Sequence, residues 1–177
     1  MGRLPSGPLE ARLAATLFLL LLGLANLFGA WQVRQFVAFT PTGVADAVGS
    51  TSQEHGGERP IDIESLNEPS HHIDRRLLVQ DSHVHIPAYA MTAAFLSLIV
   101  LGLRLPSASR MLLIGAAFAA PLLDFGGLWG AHLSVPHARL WAAIALAGGL
   151  AMAIVYVVIL GITIRQCWFS RKDVSHV

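Results

Sequence analysis

Charge is scarce in this chain. Aspartate, glutamate, lysine and arginine make up 13% of its 177 residues, against roughly a quarter in an ordinary soluble domain. The two signs nearly cancel, for a formal net charge of +1, so the composition offers neither a basic footprint for nucleic acid nor an acidic partner surface. Cysteine occurs once, as Cys167, which excludes an internal disulfide, and without a C-x-x-C-H motif a covalent c-type haem is excluded as well. No internal repeat is present, and no nucleophile stands in a pattern with a base and an orienting group. The chain is therefore expected to have no catalytic activity on its own.

Apolar residues are what the chain has in quantity. They account for 54% of it, at a mean hydropathy of +0.59, and at that level the solvent for most of the molecule is lipid. Apolar runs at 11–37, 84–105, 110–133 and 138–164 each suffice, at about 1.5 Å per residue, to cross a hydrocarbon layer about 30 Å thick. The expected fold is all-α: one integral membrane domain in which four transmembrane helices form a bundle, consecutive helices being antiparallel because the last two connections are short. A cleavable signal peptide is the rival reading of the first run, with Arg3 and Arg12 before it and a weak site near Gly23 and Ala25,. The run continues past that site, so a retained span is expected. The opening M-G-R-L-P-S fits a myristoylation pattern, which is read as chance in a chain already anchored by its spans.

Residues 38–83 break the apolar pattern with glycine, proline and eight carboxylates against three arginines. They are expected to form a solvated loop too poor in apolar residues for a core of its own. Towards its end, Ser70 could cap a short helix carrying Ile73, Leu77 and Leu78 on one face, lying on the membrane or leading into the second span. Arg3, Arg12, Arg104, Arg110, Arg165, Arg171 and Lys172 gather at one end of the bundle. By the positive-inside rule both termini are cytoplasmic and the long loop is extracytoplasmic, in a bacterial inner membrane. Trp31, Trp129 and Trp141 then mark the outer boundary and Trp168 the inner one,.

That threading places seven of the eight histidines on the outer side, with His176 alone inside. His55, His71 and His72 lack a metal-site spacing. His83 and His85 form an H-x-H pair whose side chains converge if the segment is extended and diverge by about 200° if it is helical. Pro87 disfavours helical torsion at Ile86 and so supports an extended or kinked start to the second span. His132 and His137 return to the same boundary from the third and fourth spans. A transition metal ion (Cu, Fe or Zn) on His83, His85, His132 and His137, or a haem b at that level, is one expectation; histidines merely packed at the interface are the other.

Asp124 lies inside a span, where a carboxylate costs several kcal/mol unless it is neutral, paired or wet. It is expected to face the bundle interior with Asn26, Tyr89 or Arg34 in reach, either as a cofactor-side proton acceptor beside His83, His85 and His132 or as an interhelical hydrogen-bond anchor. Pro121 opens the backbone bond to Ala117 and is expected to kink the third span. Gly126 and Gly130 form a G-x-x-x-G, Ala25 and Gly29 a small pair, and Ala145, Gly148, Gly149 and Ala151 a small-residue lining for the fourth span,.

Three stretches taken together, F-T-P-T-G-V (Phe39 to Val44), L-L-V-Q-D-S-H-V-H (Leu77 to His85) and A-F-A-A-P-L-L-D (Ala117 to Asp124), resemble a family of small bacterial four-span integral membrane proteins with an H-x-H at the start of the second span. The resemblance implies a four-span bundle in which the H-x-H and the intramembrane aspartate recur, and no established reaction. Here Pro87 follows the H-x-H where the pattern has an unbroken helix. The resulting functional expectation is a small integral subunit of an electron-transfer or energy-conserving membrane complex, in contact with lipid and with other membrane subunits. The alternative is a structural or assembly subunit that packs against a larger complex without a cofactor.

Overall fold

The computed structural model describes residues 4–36, 39–48 and 75–169, and within these it is all-α. Four long helices pack together: α1 (Leu9–Phe36), α3 (Arg75–Gly102), α4 (Ser107–Leu133) and α5 (Ala138–Ile164), with a short α2 (Pro41–Val48) between the first two. All four long helices are apolar and long enough to cross a membrane. A 3-10 turn at Leu4–Ser6 precedes α1, another at Val135–His137 joins α4 to α5, and a π-turn at Arg165–Phe169 prolongs α5.

Helices α4 and α5 make the most extensive contact, and small residues allow it. A Cβ on Gly127 would meet the backbone of Ala145, and one on Gly130 would meet the ring of Trp141. A Cβ on Gly148 would come within 2.8 Å of the Ala120 carbonyl oxygen and 3.0 Å of Asp124 Cα. In lipid, helices gain little from burying apolar area against one another, so such close backbone approach supplies the van der Waals contact that holds them. The G-x-x-x-G is split: Gly130 lies in the seam, whereas Gly126 faces open space, as do Gly29 and Gly149. Spacing around the helix is the reason, since α4 turns Ala120, Asp124, Gly127 and Ala131 to one side, and Gly126 lies about 100° from Gly127.

One face of α3 carries Leu78, Ser82, His85, Tyr89, Ala93, Leu96 and Val100, in steps of three or four residues,. Of these, Leu78, Ser82, Ala93, Leu96 and Val100 are buried. Pro87 sits inside this helix without ending it, which corrects the expectation of an extended start. Proline removes only its own N–H and so deprives the carbonyl of His83, four residues earlier, of its helical donor. A single lost bond within a helix of 28 residues leaves the remaining ladder in place. The helix begins at Arg75, so the segment after Asp74 leads straight into the span. Ser70, with His55, His71 and His72, lies outside the described residues.

The stretch after α1 is more than a solvated loop. Thr40 Oγ1 accepts a hydrogen bond from the Gly43 N–H at 3.0 Å, capping α2, and Pro41 occupies the first helical position, where its missing N–H costs nothing. The apolar face of α2 buries Val44, Ala45 and Val48, and Val44 and Ala45 form a core cluster with Ala142 of α5. The second core, nearer the end that bears the chain termini, gathers Leu19, Leu96, Val100, Ala117, Tyr156 and Ile159 from all four long helices. Among the described residues, the attachment of α1 lies in that half. Tyr156 donates to the Leu19 carbonyl at 2.8 Å, whereas Leu24, Leu27, Phe28 and Trp31 are all exposed.

Candidate functional site

Three polar side chains stand one turn apart on α3: Asp81, His85 and Tyr89. Steps of four residues stack them along one side of the helix, about 6 Å apart in height. His85 Nδ1 donates to the Asp81 carbonyl oxygen at 2.9 Å and lies 3.4 Å from Asp81 Oδ1. The imidazole thereby keeps its proton on Nδ1 and turns Nε2 away from Asp81. Ring contacts continue the stack inwards: Tyr89 meets Phe125 edge-on at 5.6 Å between centroids, and His85 lies 6.1 Å from Tyr89 and 6.3 Å from Phe125.

Asp124 stands next to Phe125 on α4, half-buried, with its backbone against Gly148 of α5. Its carboxylate interacts electrostatically with both His85 and Tyr89. Of the partners considered for it, Tyr89 is so placed, whereas Arg34 is exposed on the far half of α1. Asp81, His85, Tyr89 and Asp124 thus descend from the histidine-bearing end into the bundle between α3 and α4. Beside its upper end Trp129 donates its indole N–H to Ser82 Oγ at 2.8 Å, and Ser82 in turn donates to the Leu78 carbonyl at 2.7 Å. This pair pins α3 to α4 between the levels of Asp81 and His85.

The four histidines proposed as metal ligands are dispersed. Because α3 is helical throughout, His83 projects about 200° away from His85, and both are exposed. His132 is buried and donates from Nδ1 to the Val48 carbonyl at 2.9 Å, fastening α2 to the end of α4, with Trp129 edge-on to its ring. His137 is exposed in the 3-10 turn, its Nδ1 3.4 Å from Ser134 Oγ. Among the described residues no three of His, Cys, Asp and Glu come together as a metal site requires. Sequence reasoning overlooked Asp81 as the first member of the ladder and Val48 as the partner of His132. The regular steps of four from Asp81 to Tyr89 would have revealed the first, and no local signal pointed to the second.

Residues 58–174 match a family described as a transmembrane helical domain. Since this covers well over half of the chain, the chain belongs to that family. The matched stretch takes in α3, α4 and α5 and leaves out α1 and α2. Searches of curated proteins and of solved structures each return no match.

Proposed function

We propose that this member of a transmembrane helical domain family is a small integral subunit of an electron-transfer or energy-conserving membrane complex, and that the ladder from Asp81 through His85 and Tyr89 to Asp124 handles protons for it. The observation that carries this reading is the position of Asp124. A carboxylate mid-span, facing a tyrosine and a histidine that lead back to a second carboxylate near the membrane boundary, is the arrangement of groups that proton transfer uses and that packing alone does not require.

The exposure of the ladder supports a subunit rather than a free-standing protein. The side chains of His85 and Asp81 are 47% and 59% exposed, although His85 lies level with Phe125, about one turn deeper than Trp129. Polar side chains at that depth are costly against lipid, and a neighbouring subunit covering the α3/α4 groove removes the cost. The orientation that accompanies this proposal has both termini in the cytoplasm of a bacterium and the histidine-bearing end outside the inner membrane, as the distribution of arginine indicates.

The geometry offers less to a haem b or a copper, iron or zinc ion on His83, His85, His132 and His137. His83 and His85 diverge, and the Nδ1 atoms of His85 and His132 are engaged by backbone carbonyls. We therefore assign the ladder, not the histidines as a set, to the function.

Mild extraction of the tagged chain from its native membranes tests the proposal. Expected is stoichiometric co-purification with redox or proton-translocating subunits, whose coupled proton uptake falls at least tenfold with Asp124→Asn while assembly is retained. A chain that elutes alone, or a complex indifferent to Asp124→Asn and Tyr89→Phe, overturns it. A Soret band from the purified chain would return the assignment to the histidines.

A further inference from the structure

Helices α1 and α3 meet at Phe18 and Phe95, whose ring centroids are 5.4 Å apart. Towards the histidine-bearing end, the faces that carry these two rings continue as Ala25 and Gly29 on α1 and as Ala88 and Val84 on α3. Each lies within about 20° of the phenylalanine it follows, at about 100° per residue. Helices still in contact would cover these positions. Instead Ala25, Ala88 and Val84 are exposed, and among the described residues a Cβ on Gly29 would meet nothing within 4 Å. The two helices therefore part beyond the phenylalanine pair, and a cleft with small side chains on its walls opens between them.

His85 borders this cleft. It lies about 15 Å outward of Phe95, between the levels of Ala88 and Val84, and is turned about 80° from the Phe95 direction towards α4. Its side chain is 47% exposed. Because Nδ1 donates to the Asp81 carbonyl oxygen at 2.9 Å, the neutral ring presents Nε2 as a hydrogen-bond acceptor. Tyr89 and Phe125 back the ring at 6.1 and 6.3 Å between centroids. About 26 Å of helix rise separates His85 from Gly102 at the other end of α3,, so the acceptor stands just inside a hydrocarbon layer about 30 Å thick.

We propose that the cleft between α1 and α3 binds the ring of a lipid-soluble hydroquinone, with one ring hydroxyl donating to His85 Nε2 and the tail lying in the bilayer. The inference rests on the reading of the ladder as a path for protons, to which it adds the class of molecule that meets its outer part. Three observations select that class. A neutral acceptor is matched by an O–H donor, an opening between small side chains admits a flat ring, and a site within the hydrocarbon is reached by a ligand that travels in lipid. An acyl chain would fit the apolar walls but leave Nε2 without a donor.

The test titrates the purified full chain in neutral detergent with decylubiquinol under anaerobic conditions, following tryptophan fluorescence, and repeats the titration with the dimethyl ether of the same compound, which keeps ring and tail but has no hydroxyl. Expected is saturable quenching by the hydroquinone and binding at least tenfold weaker for the ether. His85→Phe binds the hydroquinone at least tenfold more weakly, and His83→Phe, on the opposite side of α3, binds it unchanged. Gly29→Leu, which fills the cleft from α1, abolishes binding. His85→Gln, which keeps an acceptor, retains more affinity than His85→Phe and guards against a variant that misfolds. Equal affinity for hydroquinone and ether, or undiminished binding by His85→Phe, overturns the proposal. Binding by a chain that purifies alone upholds this site while removing the complex, and a complex that assembles around a chain without affinity for the hydroquinone removes the site alone.

Discussion

Replacing Gly148 by alanine is the sharpest test of how the bundle is held together. The added methyl group would point at the α4 backbone, 2.8 Å from the Ala120 carbonyl oxygen and 3.0 Å from Asp124 Cα, where ordinary contact begins at 3.4 Å. A flexible side chain could swing aside, but these are main-chain atoms of a continuous helix. The nearest atom of all is the Asp124 backbone nitrogen, so helices α4 and α5 must separate to admit the methyl group, and overpacking of this kind costs about 1–3 kcal/mol. Gly149→Ala is the matched control: it is the next residue of the same helix, adds the same methyl group and meets nothing within 4 Å. Alanine is also the better helix former, by up to about 1 kcal/mol, so Gly149→Ala should leave stability unchanged or raise it. Thermal or denaturant unfolding in one detergent, read by tryptophan fluorescence, should place Gly148→Ala several degrees below both the parent and Gly149→Ala. Identical behaviour of the two variants would refute the assignment of the seam to Ala120, Asp124, Gly127 and Gly148.

Tyr156→Phe removes the hydrogen bond to Leu19 and should weaken the attachment of α1 by about 0.6 kcal/mol, the size usual between membrane helices; Gly23→Leu, which drives a side chain onto the Tyr156 hydroxyl, should weaken it more, as read by protease access to α1. Thr40→Ala deletes the cap of α2 at a cost of about 1 kcal/mol, so hydrogen exchange at Val44 and Ala45 should quicken about fivefold, with no change in the α4/α5 seam. Ser82→Ala takes away the acceptor of the Trp129 indole and should shift its N–H vibration in the resonance Raman spectrum; an unshifted band would mean that Trp129 does not join α3 to α4.

Length and hydropathy made the long helices legible before any coordinates, because lipid leaves a chain few ways to satisfy its backbone. The start of α4 at Ser107 and the limits of α5 at Ala138 and Ile164 fall within a few residues of the apolar runs. Asp124 was legible for the same reason, being the carboxylate where none is expected. Two features were not. The continuity of α3 through Pro87 depends on the remaining backbone ladder and on packing against α4, whereas the torsional preference of Ile86 is a purely local quantity. The seat of α2 depends on Ala142, about a hundred residues further along the chain, and on the Val48 carbonyl, which carries no side-chain signal at all. The four histidines illustrate the same limit, since sharing a membrane level follows from threading and sharing a centre requires directions that threading does not specify.

The bond from Tyr156 to Leu19 spans 137 positions of the chain. During synthesis the first helix reaches the bilayer long before the tyrosine that receives it, and until then α3 alone can support it, through Phe18 against Phe95. Among the described residues its other half, from Leu24 to Trp31, stays largely exposed in the finished protein. Full docking of the first helix therefore depends on the last, and a chain cut short before Tyr156 would hold its opening segment by the α3 contact alone.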